Sequence, residues 1–365
     1  MDFHKLQKTI AEIKLPAFRE KQVRRAYYNE LAGSWDEVTV LPKDLRHKLA
    51  KEIAWDSLSP AKAVKGGEDI VKALFNTDDE RKIESVLIRH ADGRNTVCVS
   101  SQVGCPLGCL FCATGQGGFK RNLLAHEIAE QVVYFARMLK NMDCGTRDKD
   151  GRALTEKAGG AENYESDKIT NIVFMGMGEP MLNYDNVLAA VKIFNDKDGF
   201  NLGARRISIS TIGITEGIRK FAKENLQVNL ALSLHAPNDK LRDELCPVNK
   251  KYPVKKILSA VDDYIEKTNR RVMVEYIMLE KINDFPEQAR ELAELLKSRR
   301  LCYVNLIIYN KAITLDKKLK LAPSSRERVQ AFKEILEKNN ITVTIRKEFG
   351  GAIWAACGML KSHNQ

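Results

Sequence analysis

Apolar residues recur at helical spacing through residues 1–60, at Ile10, Ile13, Phe18, Val23 and Tyr27 and, past Leu41-Pro42, at Leu45, Leu49 and Ile53. That spacing predicts a small helical accessory domain. Over 61–94 the runs shorten to β type, as in Ile83-Glu84-Ser85-Val86-Leu87-Ile88, and close on the turn signal Asp92-Gly93. A small sheet feeding the main domain is expected there. From residue 95 strand-length apolar runs alternate with amphipathic stretches, the mark of βα units and a parallel sheet. Strands are predicted at 95–101, 169–175, 206–211, 227–233, 271–278 and 302–308. Helices are predicted at about 124–139, 185–195, 215–224, 253–268, 286–299 and 324–339. Six such units make 95–360 an α/β domain, organised as an open, partial (β/α)6 barrel whose ligands belong at the C-terminal strand ends. Residues 143–168, with Gly145, Gly151, Gly159-Gly160 and balanced charges, lack any period and read as a hydrophilic insertion without a chemical role.

The 365 residues suit one catalytic domain of roughly 250 residues plus a smaller one. With 44% hydrophobic and 29% charged residues, the chain is neither disordered nor collagen-like. No stretch reaches the ~18 apolar residues of a spanning helix, and Met-Asp-Phe-His-Lys-Leu-Gln-Lys has no secretory apolar run. A cytoplasmic protein with no membrane association is expected. Lys and Arg number 59 against 48 acids, a balance of +11. Ten of the bases and four of the acids fall in 311–347, which suggests a surface for phosphate, although solubility explains such a charge equally well.

Eight cysteines in a cytoplasmic chain point to metal or catalysis rather than disulfides. Cys105, Cys109 and Cys112 form a Cys-x3-Cys-x2-Cys run directly after the first strand of the βα domain. Three thiolates on one loop can hold three irons of a [4Fe–4S] cluster and leave the fourth open. An open iron can chelate S-adenosylmethionine and pass an electron to its sulfonium, releasing a 5′-deoxyadenosyl radical. A structural zinc would need a fourth Cys or His at finger spacing, and none follows. Cys144, Cys246 and Cys302 are scattered and are expected to have no chemical role; Cys302 starts an apolar run and reads as a small core residue.

Flanking residues extend the pattern. Val99-Ser100-Ser101-Gln102-Val103-Gly104 precedes the run, Phe111-Cys112-Ala113-Thr114-Gly115 closes it and Phe119-Lys120-Arg121-Asn122-Leu123 follows. Further on stand Phe174-Met175-Gly176-Met177-Gly178-Glu179-Pro180, Arg205-Arg206 with Ser208 and Ser210-Thr211, Ser233-Leu234-His235-Ala236-Pro237-Asn238, and Ala355-Ala356-Cys357-Gly358. In order and spacing, over roughly residues 15 to 360 apart from the insertion, these resemble the RlmN/Cfr family of radical S-adenosylmethionine RNA adenine methyltransferases.

The resemblance implies a radical-SAM barrel, a [4Fe–4S] cluster on Cys105, Cys109 and Cys112, and two molecules of S-adenosylmethionine per turnover. It sets that cofactor against Gly178, Glu179, Ser210, Ser233, Leu234, His235 and Asn310. Adenine C2 is an electron-poor carbon that does not attack a methyl sulfonium, whereas a carbon radical can add to it. In the implied route the Cys357 thiolate first takes a methyl group. Hydrogen abstraction then gives a thiomethylene radical that adds to the base, Glu84 accepts the C2 proton, and Cys98 resolves the crosslink by closing a disulfide with Cys357. Read alone, Glu84 is equally a solvated carboxylate on a β edge, Gly-Met-Gly-Glu a turn, and His235 a structural histidine. The implied partners are 23S rRNA, tRNA or both, with the adenosine splayed from its stack, and a low-potential donor such as flavodoxin or ferredoxin; the protein is expected to be a monomer. The helical domain and 311–347 would hold RNA phosphates.

Two departures stand out. Lys311 follows Asn310 where relatives usually have proline. Ala352, Trp354 and Met359 replace polar residues around Cys357. Three other readings remain: an adenine-C8 enzyme of the antibiotic-resistance branch, a non-catalytic metal-containing RNA-binding protein, or an activase that generates a radical on another enzyme. Pro180 favours C2, since the C8 branch often has alanine there, and the pair Cys98 and Cys357 has no use in a binding module or an activase.

Overall fold

A computed structural model describes residues 1–67, 69–143, 168–310, 321–346, 355 and 358–360. Three helices open the chain, α1 (Phe3–Glu12), α2 (Phe18–Tyr28) and α3 (Lys43–Glu52). The Asp2 carboxylate starts α1 by accepting the His4 and Lys5 N–H groups, each at 3.0 Å. Their apolar stripes bury Leu6, Ile10, Val23 and Leu49 in the same core as the helices that follow.

Strands β1 (Ser59–Lys65), β2 (Ile70–Asn76) and β3 (Lys82–Arg89) run antiparallel and pair onward with β4 (Asn95–Cys98). A separate hairpin, β5 (Gln102–Gly104) with β6 (Phe119–Asn122), encloses the single turn α4 (Ala113–Gln116) and leads to α5 (Ala125–Asp143). Then β7 (Asn171–Phe174) is followed by α6 (Tyr184–Asn195), and β8 (Ile207–Thr211) by α7 (Thr215–Phe221). After β9 (Asn229–Ser233) come α8 (Asp239–Leu245) and α9 (Val254–Thr268). Next, β10 (Val272–Met278) precedes α10 (Pro286–Leu296), and β11 (Cys302–Ile308) precedes α11 (Arg326–Lys338), before the last strand β12 (Val343–Ile345).

Ten strands form one sheet in the order β1-β2-β3-β4-β7-β8-β9-β10-β11-β12, parallel from β4 onward. All six predicted barrel strands are present, so the fold is the expected partial barrel. The predicted small sheet feeds it directly: the Asp92-Gly93 turn folds β3 back on β4, and β1–β3 continue the barrel sheet. A seventh parallel strand, β12, pairs with β11 and is too short to register as a period.

A parallel sheet covered on both faces normally reads as continuous apolar runs, yet these strands alternate. Val97, Ile172, Ile209, Leu230, Val274 and Val304 are buried on the face that meets the helices. The opposite face, followed through the register from Cys98 to Val173, Ser208, Ser210, Ser233 and Glu275, sets a polar patch among apolar residues such as Ala231, Met273 and Ile277. A barrel interior usually packed with Val, Ile and Leu is here lined for a polar ligand.

Candidate active site

The cysteine loop hangs from a pinch. Gly104 has φ +77°, and a Cβ there would sit 1.8 Å from the Gly118 carbonyl oxygen, to which Cys105 N–H donates at 3.0 Å. Inside the loop Cys112 N–H donates to the Cys109 carbonyl (3.1 Å), and Leu110 N–H ties the loop to the Leu245 carbonyl (3.0 Å). Ala113 N–H donates to the Gly358 carbonyl (2.7 Å) and Thr114 Oγ1 to that of Leu360 (2.5 Å), which draws the chain's end onto the loop.

Cys105, Cys109 and Cys112 face one cavity of about 900 Å³, open mouth included. Burial pushes the Cys105 thiol up to about 12. Cys109 is also raised, by its hydrogen bond with the Cys246 thiol and by burial. Iron must therefore displace protons to bind. Three thiols and no imidazole on the loop suit iron–sulfur ligation, with one thiolate per iron. Among the described residues no three Cys, His, Asp or Glu side chains converge on a single ion.

The far wall carries the expected cofactor residues. Gly178 (φ +98°) packs so closely on Gln102 that a Cβ would meet its side chain at 2.5 Å. Glu179 is buried, accepting Met181 N–H (3.0 Å) and Ile212 N–H (2.9 Å), and burial lifts its carboxyl to about 7. Ser210 Oγ donates to Glu275 Oε2 (2.7 Å), Ser233 Oγ lies 3.2 Å from the same oxygen, and the hydroxyls are 3.1 Å apart. Arg346 Nη1 donates to Glu275 Oε1 (3.2 Å). His235 takes a left-handed φ of +62°, accepts Ile277 N–H at Nδ1 (3.2 Å) and meets the Phe111 ring edge-on. Burial drops its pKa to about 3, so it stays neutral. Leu234 is fully buried and does not line the cavity; its backbone N–H donates to the Glu275 carbonyl (3.1 Å). Asn310 is half-buried and does not line the cavity.

Glu84 and Cys98 share the inward face of the sheet, Cys98 opposite Val86 and Glu84 two positions along, but neither lines the cysteine cavity. Glu84 is not a solvated edge carboxylate. Its strand lies inside the sheet, its side chain is 2% exposed, and Lys72 Nζ pairs with it at 3.0 Å. Cys357 lies outside the described residues, as do 144–167; its neighbour Gly358 lines the cavity.

Four residues escaped the sequence reading. Glu275 was hidden in an apolar strand, where its break of the Val-Met-Val-Glu-Tyr-Ile run was the available signal. Arg346 counted toward the basic tract but points into the cavity. Arg328 of that tract pairs with Asp284 (2.9 Å) and Lys333 with Glu337 (3.6 Å), so its described part is not one free phosphate-facing surface. Cys246, expected to be inert, touches Cys109, and Arg242 lies fully buried beside it.

With this geometry in hand, the chain matches the family described as the radical SAM superfamily over residues 99–296. It is 41% identical over 366 residues to a probable dual-specificity RNA methyltransferase RlmN of Symbiobacterium thermophilum, covering 100% of this chain and 91% of that protein. The chain belongs to the RlmN family. A Chloroflexus aurantiacus protein of the same description is 43% identical over 94% of this chain and 87% of its own length. The crystal structure of a radical SAM methyltransferase from Sphaerobacter thermophilus superposes with a TM-score of 0.86 at 40% identity, covering 99% of this chain and 97% of that one. Radical SAM enzymes carry a 4Fe–4S cluster and use S-adenosylmethionine, and RlmN proteins fit that rule. Cys105, Cys109 and Cys112, three thiols on one cavity, are of the chemistry that could hold such a cluster. No helix among the described residues is long and apolar enough to cross a membrane.

Proposed function

We propose that the protein methylates C2 of adenine in 23S rRNA and in tRNA by way of a methyl group carried on Cys357. The observation that supports this most directly is one cavity shared by three thiols, the Glu179 carboxylate, the Ser210–Ser233–Glu275 triad and Gly358, the residue next to Cys357. When bound, the cluster and S-adenosylmethionine supply an electron, a methyl group and hydrogen abstraction.

The chain's own groups do the rest. Cys105, Cys109 and Cys112 hold the cluster. Glu179 faces a cationic ligand from a buried position. Both serine hydroxyl protons are directed to Glu275 or to each other, so Ser210 and Ser233 present acceptors to the ligand's N–H and O–H groups. Cys357 receives the methyl group, Cys98 resolves the adduct by disulfide closure, and Glu84, beside Lys72, accepts the C2 proton. Two S-adenosylmethionine molecules are used per turnover, a flavodoxin or ferredoxin supplies electrons, and the enzyme works as a cytoplasmic monomer. Pro180 supports C2 over C8.

Nucleoside mass spectrometry tests the product. Cells without the gene should lack 2-methyladenosine in 23S rRNA and tRNA and regain it with the gene restored. Loss of 8-methyladenosine instead would move the product to C8, and unchanged RNA would overturn the reading. The route is tested by Cys98→Ala, which should accumulate a slow-migrating, nuclease-sensitive RNA adduct that Cys357→Ala and the double variant lack. Normal turnover by Cys98→Ala would exclude the methyl-cysteine path.

A further inference from the structure

Past Cys98 the inward face of the sheet carries an ion pair of which the chemistry proposed above uses only one member. Lys72 Nζ of β2 lies 3.0 Å from Glu84 Oε1 of β3, and the two side chains are 12% and 2% exposed. In the register Lys72 stands opposite Val86 and Leu74 opposite Glu84, and Val86 in turn stands opposite Cys98. Lys72, Val86 and Cys98 therefore form one cross-strand row, with Glu84 in the next. Desolvating two such charges offsets most of their attraction, so a pair at this place adds little stability over two apolar side chains of the same size. Packing alone gives no reason for it.

The position of the pair supplies one. The Glu84 backbone is fixed at both its polar groups: its N–H donates to Met177 Sδ (3.4 Å), its carbonyl accepts the Ser100 hydroxyl (2.6 Å), and that hydroxyl oxygen accepts Met177 N–H (2.9 Å). Met177 leads directly into Gly178 and Glu179, and Gly176 before it donates its N–H to the Val99 carbonyl (3.1 Å). Gly176, Gly178 and Glu179 line the cysteine cavity. These bonds set the backbone of Glu84 against the cavity wall and leave its side chain free to turn about its own bonds. The Lys72 ammonium at Oε1 restrains that side chain with a charge-assisted contact.

We propose that Lys72 is a positioning residue for the proton-transfer step: it holds the Glu84 carboxylate in the orientation that takes the C2 proton of the crosslinked adenine. This rests on the reading that Glu84 is that acceptor. The transfer moves only a proton. The C2–H bond breaks, its electron pair stays in the base, and the proton ends on a Glu84 oxygen beside an ammonium that gains and loses nothing. An acceptor displaced by about 1 Å can cost on the order of a hundredfold in rate, which gives the restraint its value.

The test uses full-length, anaerobically reconstituted protein and an RNA hairpin whose target adenosine carries hydrogen or deuterium at C2. Three quantities are read per folded protein: Cys357 methylation by peptide mass spectrometry, RNA adduct on a denaturing gel, and the C2 isotope effect on product formation. Lys72→Met should methylate Cys357, build up the adduct and turn over at least about tenfold more slowly. Its isotope effect should exceed that of the wild type, because C2–H cleavage becomes the slow step. Lys72→Arg keeps the charge but sets the head group elsewhere, so it should lose less rate and still raise the isotope effect. Glu84→Gln should stall at the same adduct, and adding Lys72→Met to it should slow it no further, since Lys72 acts through Glu84. A folded Lys72→Met with wild-type turnover or isotope effect would overturn the proposal, as would a double variant slower than Glu84→Gln by the full Lys72→Met factor. Should Lys72→Met not fold, because it strips a buried carboxylate of its Lys72 counter-ion, Lys72→Arg decides alone, and a wild-type isotope effect there overturns the proposal. Wild-type turnover by Glu84→Gln would instead refute the reading of Glu84 beneath it.

Discussion

Glu179 shows how burial gives a residue its chemistry. The motif Gly-Met-Gly-Glu names the carboxylate, but only its burial under β8 lifts it to about 7, against the two backbone N–H groups that pull it down. Below that value it is mostly protonated, and above it ionised. A cationic ligand prefers the ionised form, so affinity for S-adenosylmethionine should fall as pH drops from 7.5 to 6, approaching tenfold per unit well below 7. Calorimetry across that range checks it, and Glu179→Gln should bind weakly with little pH dependence. A wild-type affinity flat with pH would show that Glu179 does not face the ligand's charge.

Among the elements, the β5–β6 hairpin decides whether the cysteines meet at all. Its two strands are three and four residues long, below the length at which alternation registers, and they were not predicted. The constraint at its neck is steric. Gly104→Ala would drive a methyl carbon to 1.8 Å from the Gly118 oxygen at a φ that L-residues rarely adopt. With every cysteine intact, reconstituted iron should drop well below four per chain while far-UV circular dichroism stays unchanged. Full iron loading would mean that the loop closes without the pinch. Helix α8 was missed for a similar reason, since seven residues span too few turns to show an apolar stripe.

Across the whole molecule, one carboxylate joins regions far apart in the chain. Asp56, between α3 and β1, accepts the Tyr27 hydroxyl of α2 (2.5 Å) and Arg137 Nη1 of α5 (2.8 Å), while Arg137 Nη2 donates to the Ala32 carbonyl (2.6 Å) and its guanidinium lies over the Tyr27 ring. Asp56→Ala leaves a buried phenol and a largely buried guanidinium short of a partner. A loss of about 1–3 kcal/mol is expected, measured by urea unfolding, with Asp56→Asn recovering part because it still accepts one bond. No change would mean that apolar packing alone holds the N-terminal helices to α5.

The periodic features were legible because they are local. The order of strands and helices and the cysteine spacing all follow from runs of neighbouring residues, and the alternation in Ile207-Ser208-Ile209-Ser210 already told of one polar and one apolar face. Long-range pairing was not legible, because nothing local to Glu275 or Arg346 reveals that β10 and the segment after β12 will bring their charges together (3.2 Å) beneath two serines. Glu84 was equally ambiguous until Lys72 came across from β2 and neighbouring strands covered both sides. Cys246, a lone cysteine just past the end of α8, became a neighbour of Cys109 only when α8 folded back onto the loop. Local pattern determines which elements form and which ligands the chain carries; burial and contact between distant segments, which exist only in the folded chain, decide what each charge and thiol does.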